Sequence, residues 1–319
     1  MTLSRRDLIF SAGAALLGSA LPAWSAGAQM LQGRAFGSSW TLTAGDPFDA
    51  AAVRTALYKI VASVDRAMSP FRPESELSRF NDADTTDWQP LSPEICTVVG
   101  EGLRIAALTE NAFNPTVGPL VGRYGFGPIR AGLPGAPDEI TIRADAVRKA
   151  RPELSLDLCG IAKGHALDRM VAHCRQLGLA DFVLELGGEV FAAGRHPSGR
   201  SWQVGVERPD RSGLFRHAVV LDGAALATSG KAVNSYAWRN RGYGHIIDPA
   251  TARPADTVLA SVTVAHPTAM TADGLATALF VMGSERGPAF AENMGIEALF
   301  VMDGGREVAT AGFAGRILA

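Results

Sequence analysis

The spacing of apolar residues changes repeatedly along this chain, and that alternation is what most restricts its fold. Between Asp46 and Met68 they fall at Val53, Leu57, Ile60, Val61 and Val64, the repeat of a helix with one buried face. Ile95, Val98, Val99, Leu103 and Ile105 repeat it, with Ser92 as a candidate N-cap and Pro93 in the first turn. Further helices are expected from Lys163 to Leu177, ended by Gly178, and from Ala272 to Met282. Leu31 to Thr43 alternates in short stretches and reads as an opening strand pair, and Phe182–Leu186, Trp202–Glu207, His217–Leu221, Ser261–Ala265 and Leu299–Met302 have the length of single strands. Gly125 to Pro137, rich in Gly and Pro, reads as a loop. Strands and helices interleave without a strict βαβ repeat, so the expected class is α+β, or mixed α/β, without solenoid or propeller repeats.

The first residues read as an export signal. Arg5 and Arg6 precede an apolar run from Leu8 to Leu21, about 14 residues where a spanning helix needs roughly 20. Ala26-Gly27-Ala28 fits a small-residue cleavage site, and the paired arginines point to the twin-arginine route, with an ordinary secretory signal as the alternative. Leu8 stands where that signal usually has an aromatic. The expected division is a leader at 1–28 and a functional domain at 29–319, delivered to the periplasm without a transmembrane or lipid anchor. The chain carries −2, and −3 once Arg5, Arg6 and Asp7 leave with the leader, so nothing suggests a nucleic-acid binder. Hydrophobic residues at 47% and charged residues at 19% argue against extensive disorder. Cys96, Cys159 and Cys174 form no CxxC or zinc pattern and are expected to be buried free thiols.

Candidate chemistry begins with Asp273 and Thr277, which lie four apart on a predicted helix and so share a face. With a nearby backbone carbonyl they would offer only oxygen ligands, the set preferred by a hard cation such as magnesium. The plainer reading is a helix-terminal Asp with Thr277 packed behind it. Asp157 and Lys163 bracket a strand-to-helix turn containing Gly160 and Gly164; its free amides and the lysine could hold a phosphate, or it could be a tight turn with a surface lysine. Gly187-Gly188 would permit close approach of backbone to a ligand, or simply form a turn. His245 could serve as a general base or as a hydrogen-bonded structural residue, and Asp248 before Pro249 could cap a turn.

Five segments, in order, resemble the ApbE family of FAD:protein FMN transferases over nearly all of the chain beyond the leader. They are Met68–Phe71 with Ser75–Asn81; Ala112–Leu120; Leu156–Gly164; Ala227–Gly230 with His245–Pro249; and Ser261–Val264 with Ala272–Thr277. The resemblance implies a single domain of two closely packed subdomains with a nucleotide site between them. It implies FAD contacts at Met68, Ala112, Phe113, Asn114, Asp157, Lys163 and Ile247. It also implies a magnesium ion at Asp273, Thr277 and the carbonyls of Gly160 and Ala276, and His245 as the base. The implied reaction moves FMN from FAD to a Thr or Ser of a periplasmic acceptor flavoprotein in a respiratory or redox complex. An FAD pyrophosphatase and a non-catalytic flavin carrier are the alternatives. The sequence departs from the family pattern at Asn114, where Asp is more usual, at Lys231-Ala232 after Gly230, and at Arg253.

Overall fold

Strands that follow one another in the chain also lie beside one another in space. A computed structural model of the protein describes residues 28–209, 212–231, 235–238 and 241–318. The predicted leader, save Ala28, lies outside the described residues, as does Ala232. The main sheet has eight strands, labelled in chain order: β1 Gln29–Ala35, β2 Ser38–Ala44, β3 Phe182–Leu186, β4 Glu189–Ala193, β5 Ala224–Gly230, β6 Leu259–His266, β7 Glu297–Met302 and β8 Glu307–Ala309. Every adjacent pair is antiparallel. The helices are α1 Ala50–Met68, α2 Glu76–Asp82, α3 Pro93–Leu108, α4 Gly118–Arg123, α5 Ala162–Gln176, α6 Ala269–Asn293 and α7 Ala311–Ala314. The architecture is therefore α+β, as the interleaved spacing predicts.

The two-residue period of the strands explains why both sheet faces are covered. In β3, Phe182, Leu184 and Leu186 enter the main core beneath the helices, whereas Val183 points to the opposite face. In β7, Ala298, Phe300 and Met302 join the main core, and Leu299 and Val301 the second one. The second face is closed by the antiparallel ribbon Trp202–Glu207 with Phe215–Leu221 and by Phe313 of α7. The main core draws residues from Leu31 to Met302, so the sheet and the helical layer fold as one domain. A three-stranded sheet, Gln89–Pro90, Ala146–Lys149 and Ile140–Ile142, lies beside α3. No helix among the described residues is long and apolar enough to cross a membrane.

Three local departures have clear causes. α1 starts after Pro47, because Asp49 accepts the amides of Ala51 and Ala52, both at 3.0 Å, and takes the cap position. α6 is interrupted where the sequence predicts its end: Gly283 adopts φ 81°, and a second helical stretch containing Pro288 runs on to Asn293. Cys96 and Cys174 are buried, but Cys159 is exposed, which corrects the expectation for that residue. Its neighbours Leu158 and Ile161 take the core positions of the turn, leaving residue 159 facing outward.

Candidate active site

The α5 and α6 N-termini meet at a distance only glycine permits. A Cβ on Gly164 would stand 2.4 Å from the Ala269 carbonyl oxygen and 2.7 Å from the Met270 Cα. Asp168, one turn further along α5, accepts the amides of Ala269 (2.7 Å) and Met270 (2.9 Å) and so caps α6 from a neighbouring helix. Thr268, the residue before α6, makes no side-chain cap bond. Asp168 was not singled out from the sequence; its partners are 101 and 102 residues away.

This junction brings most of the predicted site together. Asp273 is 6% exposed, and its Oδ2 accepts the Gly164 amide at 3.1 Å. One turn later Thr277 shares a hydrogen bond of 3.1 Å with Ser229 of β5. A Cβ placed on Gly160 would lie 3.6 Å from Thr277 Oγ1 and 3.2 Å from the Phe113 ring, so these three converge. Ala276, fully buried, sits between the two α6 side chains in sequence and offers only its backbone.

The segment after α3 reaches the same place. Glu110 and Asn111 take left-handed conformations (φ 51° and 66°), turning the chain sharply into half-buried Ala112 and buried Phe113. The Asp157 amide donates to the Pro115 carbonyl at 2.7 Å, stitching this segment to the turn before α5. Asp157 itself accepts the Cys159 amide at 2.9 Å, shaping that turn. Asn114 donates to the Gly135 carbonyl at 3.1 Å and accepts from both the amide and hydroxyl of Thr116 at 2.8 Å. An ionised Asp could make only the accepting bonds, so the departure at 114 adds a tie to the Gly- and Pro-rich loop.

His245 is half-buried and packs edge-on to Phe126 of that same loop, ring centroids 6.3 Å apart. Ile247, 4% exposed, opens the small hairpin Ile247–Asp248 with Arg253–Pro254; there Asp248 accepts from Ala250 and Thr251, the turn-capping role. Met68 is 2% exposed at the end of α1 and packs into the main core, while Phe71 nearby is 63% exposed. Lys231 pairs with Asp303 at 2.7 Å.

At this junction the Lys163 ammonium is flanked by deeply buried carboxylates, Glu189 and Asp273 foremost, with Glu185 also feeling its charge. Lys163, in the first turn of α5, forms an ion pair with Glu189 at the start of β4. Burial alone would lower the lysine pKa, but the Glu189 and Asp273 carboxylates outweigh it and hold the ammonium above its usual value. Burial pushes Asp273 up, and it pushes Glu189 up to about 7 despite the lysine's pull. Two buried carboxylates thus face one ammonium. Sequence reasoning missed Glu189, although Gly187-Gly188 immediately before it was a signal.

Among the described residues no three His, Cys, Asp or Glu side chains cluster as metal ligands. A cation here would rest on the Asp273 carboxylate, the Thr277 hydroxyl and backbone carbonyls. That all-oxygen set suits magnesium, which commonly uses one or two carboxylates and completes its shell with water and substrate phosphate.

Comparison with known proteins places the chain in a family. Residues 36–300 match the ApbE family. The FAD:protein FMN transferase of Vibrio cholerae is 36% identical over 283 residues, spanning 83% of this chain and 84% of that protein. The Salmonella typhimurium protein of the same name is 32% identical, covering 88% and 86%. Among solved structures, the flavin transferase ApbE from Vibrio cholerae superposes with a TM-score of 0.82 at 34% identity, over 91% of this chain and 99% of that one. The apo flavinyl transferase ApbE of Pseudomonas stutzeri gives 0.80 at 31% identity, over 91% and 98%. The chain belongs to the ApbE family.

Proposed function

We propose that this protein is an FAD:protein FMN transferase that uses magnesium. The acceptor is a Thr or Ser hydroxyl on a periplasm-facing flavoprotein of a respiratory or redox complex. The hydroxyl oxygen bonds to the FAD phosphorus nearer riboflavin, the bridging P–O bond breaks, and AMP leaves with the bridging oxygen. His245 takes the hydroxyl proton. Lys163 and the amides of the turn before α5 bind the pyrophosphate, and Met68, Phe113, Ala112, Asn114, Asp157 and Ile247 line the flavin nucleotide. Asp273, Thr277 and the carbonyls of Gly160 and Ala276 would hold magnesium, which supplies neutralisation of phosphate charge. Phosphoryl transfer depends mainly on positioning and charge, and this cleft offers both.

One observation carries the reading. Lys163, held by Glu189, and Asp273, which accepts the Gly164 amide, stand at one helix junction on a chain belonging to a family whose named relatives are FAD:protein FMN transferases. Incubation with FAD, magnesium and a Thr-bearing flavoprotein domain should give AMP and an FMN-modified acceptor, read by mass spectrometry. AMP without acceptor would indicate a pyrophosphatase, and retained FAD with no AMP a carrier.

Export completes the proposal: residues 1–28 direct residues 29–319 to the periplasm by the twin-arginine route, which carries folded proteins. Replacing Arg5 and Arg6 by lysine should leave precursor in the cytoplasm on fractionation. Normal periplasmic delivery of that variant would refute the route.

A further inference from the structure

The transfer chemistry above gives no task to Glu189, yet this glutamate is among the most deeply placed charges of the protein, 2% exposed. It follows the turn between β3 and β4, where Gly187 (φ 57°) and Gly188 (φ 106°) both take left-handed conformations. The Gly188 amide is held by Glu185 at 2.9 Å, which fixes the tip of the hairpin. The hairpin fits against a lysine stem. A Cβ on Gly187 would stand 3.8 Å from the Lys163 Cδ, and Glu189, first in β4, receives the ammonium at the end of that stem.

We propose that Glu189 is the positioning residue for Lys163. It holds the ammonium beside the β3–β4 hairpin, ready for a phosphate of the nucleotide substrate. The inference rests on the reading of this cleft as an FAD site. Three observations carry it. Lys163 is reached from a flexible four-carbon stem and its side chain keeps 36% exposure, so without a partner it would have to be ordered each time an anion bound. The second oxygen of Glu189, Oε2, is buried without a hydrogen-bond partner in the described structure. Among the described residues the Lys163 ammonium is thus the one side-chain group bonded to this carboxylate, so the two are placed together. Finally, Asp273 also acts on Lys163. Without Glu189, that carboxylate would be left as the main counter-charge, drawing the lysine towards the oxygen needed for the cation.

The test reads Lys163 directly. Reductive methylation of the FAD-free protein, followed by peptide mass spectrometry, compares its labelling rate with those of two internal standards. Lys59 is exposed and reports the reagent. Lys149 is fully buried and donates to the carbonyls of Asn81, Pro152 and Leu154, so it reports the fold. In Glu189→Gln, Lys163 should label several-fold faster relative to Lys59 while Lys149 stays protected, and FAD should bind about tenfold more weakly. Glu189→Asp, which keeps the charge but loses a methylene, should fall between; it carries the same comparison if the Gln variant exposes Lys149. An unchanged Lys163 rate, with Lys149 protected, would overturn the proposal. Failure of the parent protein to bind FAD would overturn the reading of the cleft instead, and would leave the lysine result standing.

Discussion

Asp273→Ala should lose magnesium-dependent FMN transfer while the protein still folds. A cation bound to a transferring phosphate contributes several kcal/mol of charge stabilisation, so the loss in kcat/KM should be about 10³-fold or more. The effect on folding has two opposing parts. Removing the side chain deprives the Gly164 amide of its acceptor at 3.1 Å, which costs about 1–3 kcal/mol. It also removes a buried carboxylate whose ionised form burial disfavours, which returns some of that cost. A thermal melt should therefore move by only a few degrees. Asp273→Asn separates the two roles: its carboxamide oxygen still accepts the Gly164 amide, but the charge is gone. Asn and Ala variants should thus differ in melting temperature and agree in lost transfer. Full transfer by Asp273→Ala at ordinary magnesium concentrations would dismiss this cation site.

What the sequence discloses of this site, and what it hides, follows the distance over which each interaction acts. Helices α1, α3 and α5 are legible because one buried face is written into the local spacing of apolar residues. Asp273 and Thr277 are legible for the same reason, since four residues on a helix define a shared face. Strand β4 escapes, because all of Glu189–Ala193 is buried and no alternation marks it. β5 is visible only through its final residues, Ala227 to Gly230, as part of the family resemblance. The chain-order arrangement of the sheet depends on pairings such as Trp40 with Leu186, which no local window contains. The same holds for the Asp168 cap of α6 and for the Lys163–Glu189 pair. A buried carboxylate looks like any surface carboxylate until its partner, far along the chain, is known. Met68 carries two readings at once: its apolar side chain closes the buried face of α1, and the family motif that it opens implies a contact with the flavin nucleotide.

His245→Asn should separate substrate binding from chemistry. The imidazole lies edge-on to Phe126, in the loop that Asn114 and Thr116 tie down through Gly135. Asn is smaller and remains polar, so the loop should keep its anchor and FAD affinity should stay close to that of the parent. A base that takes the acceptor's proton contributes about 10²–10⁴-fold, and single-turnover transfer from bound FAD should fall by that amount. The acceptor hydroxyl is the only group in the proposed reaction that must lose a proton as it attacks. The deficit should therefore appear in the chemical step and persist at saturating acceptor. Parallel losses in FAD affinity and in transfer would mean that the ring serves to hold the nucleotide, and Phe126→Ala should then reproduce them by removing the surface against which the ring packs. Unchanged transfer in His245→Asn would remove this histidine from the mechanism and leave the cleft to work by positioning and charge alone, through Lys163 and the Asp273–Thr277 face of α6.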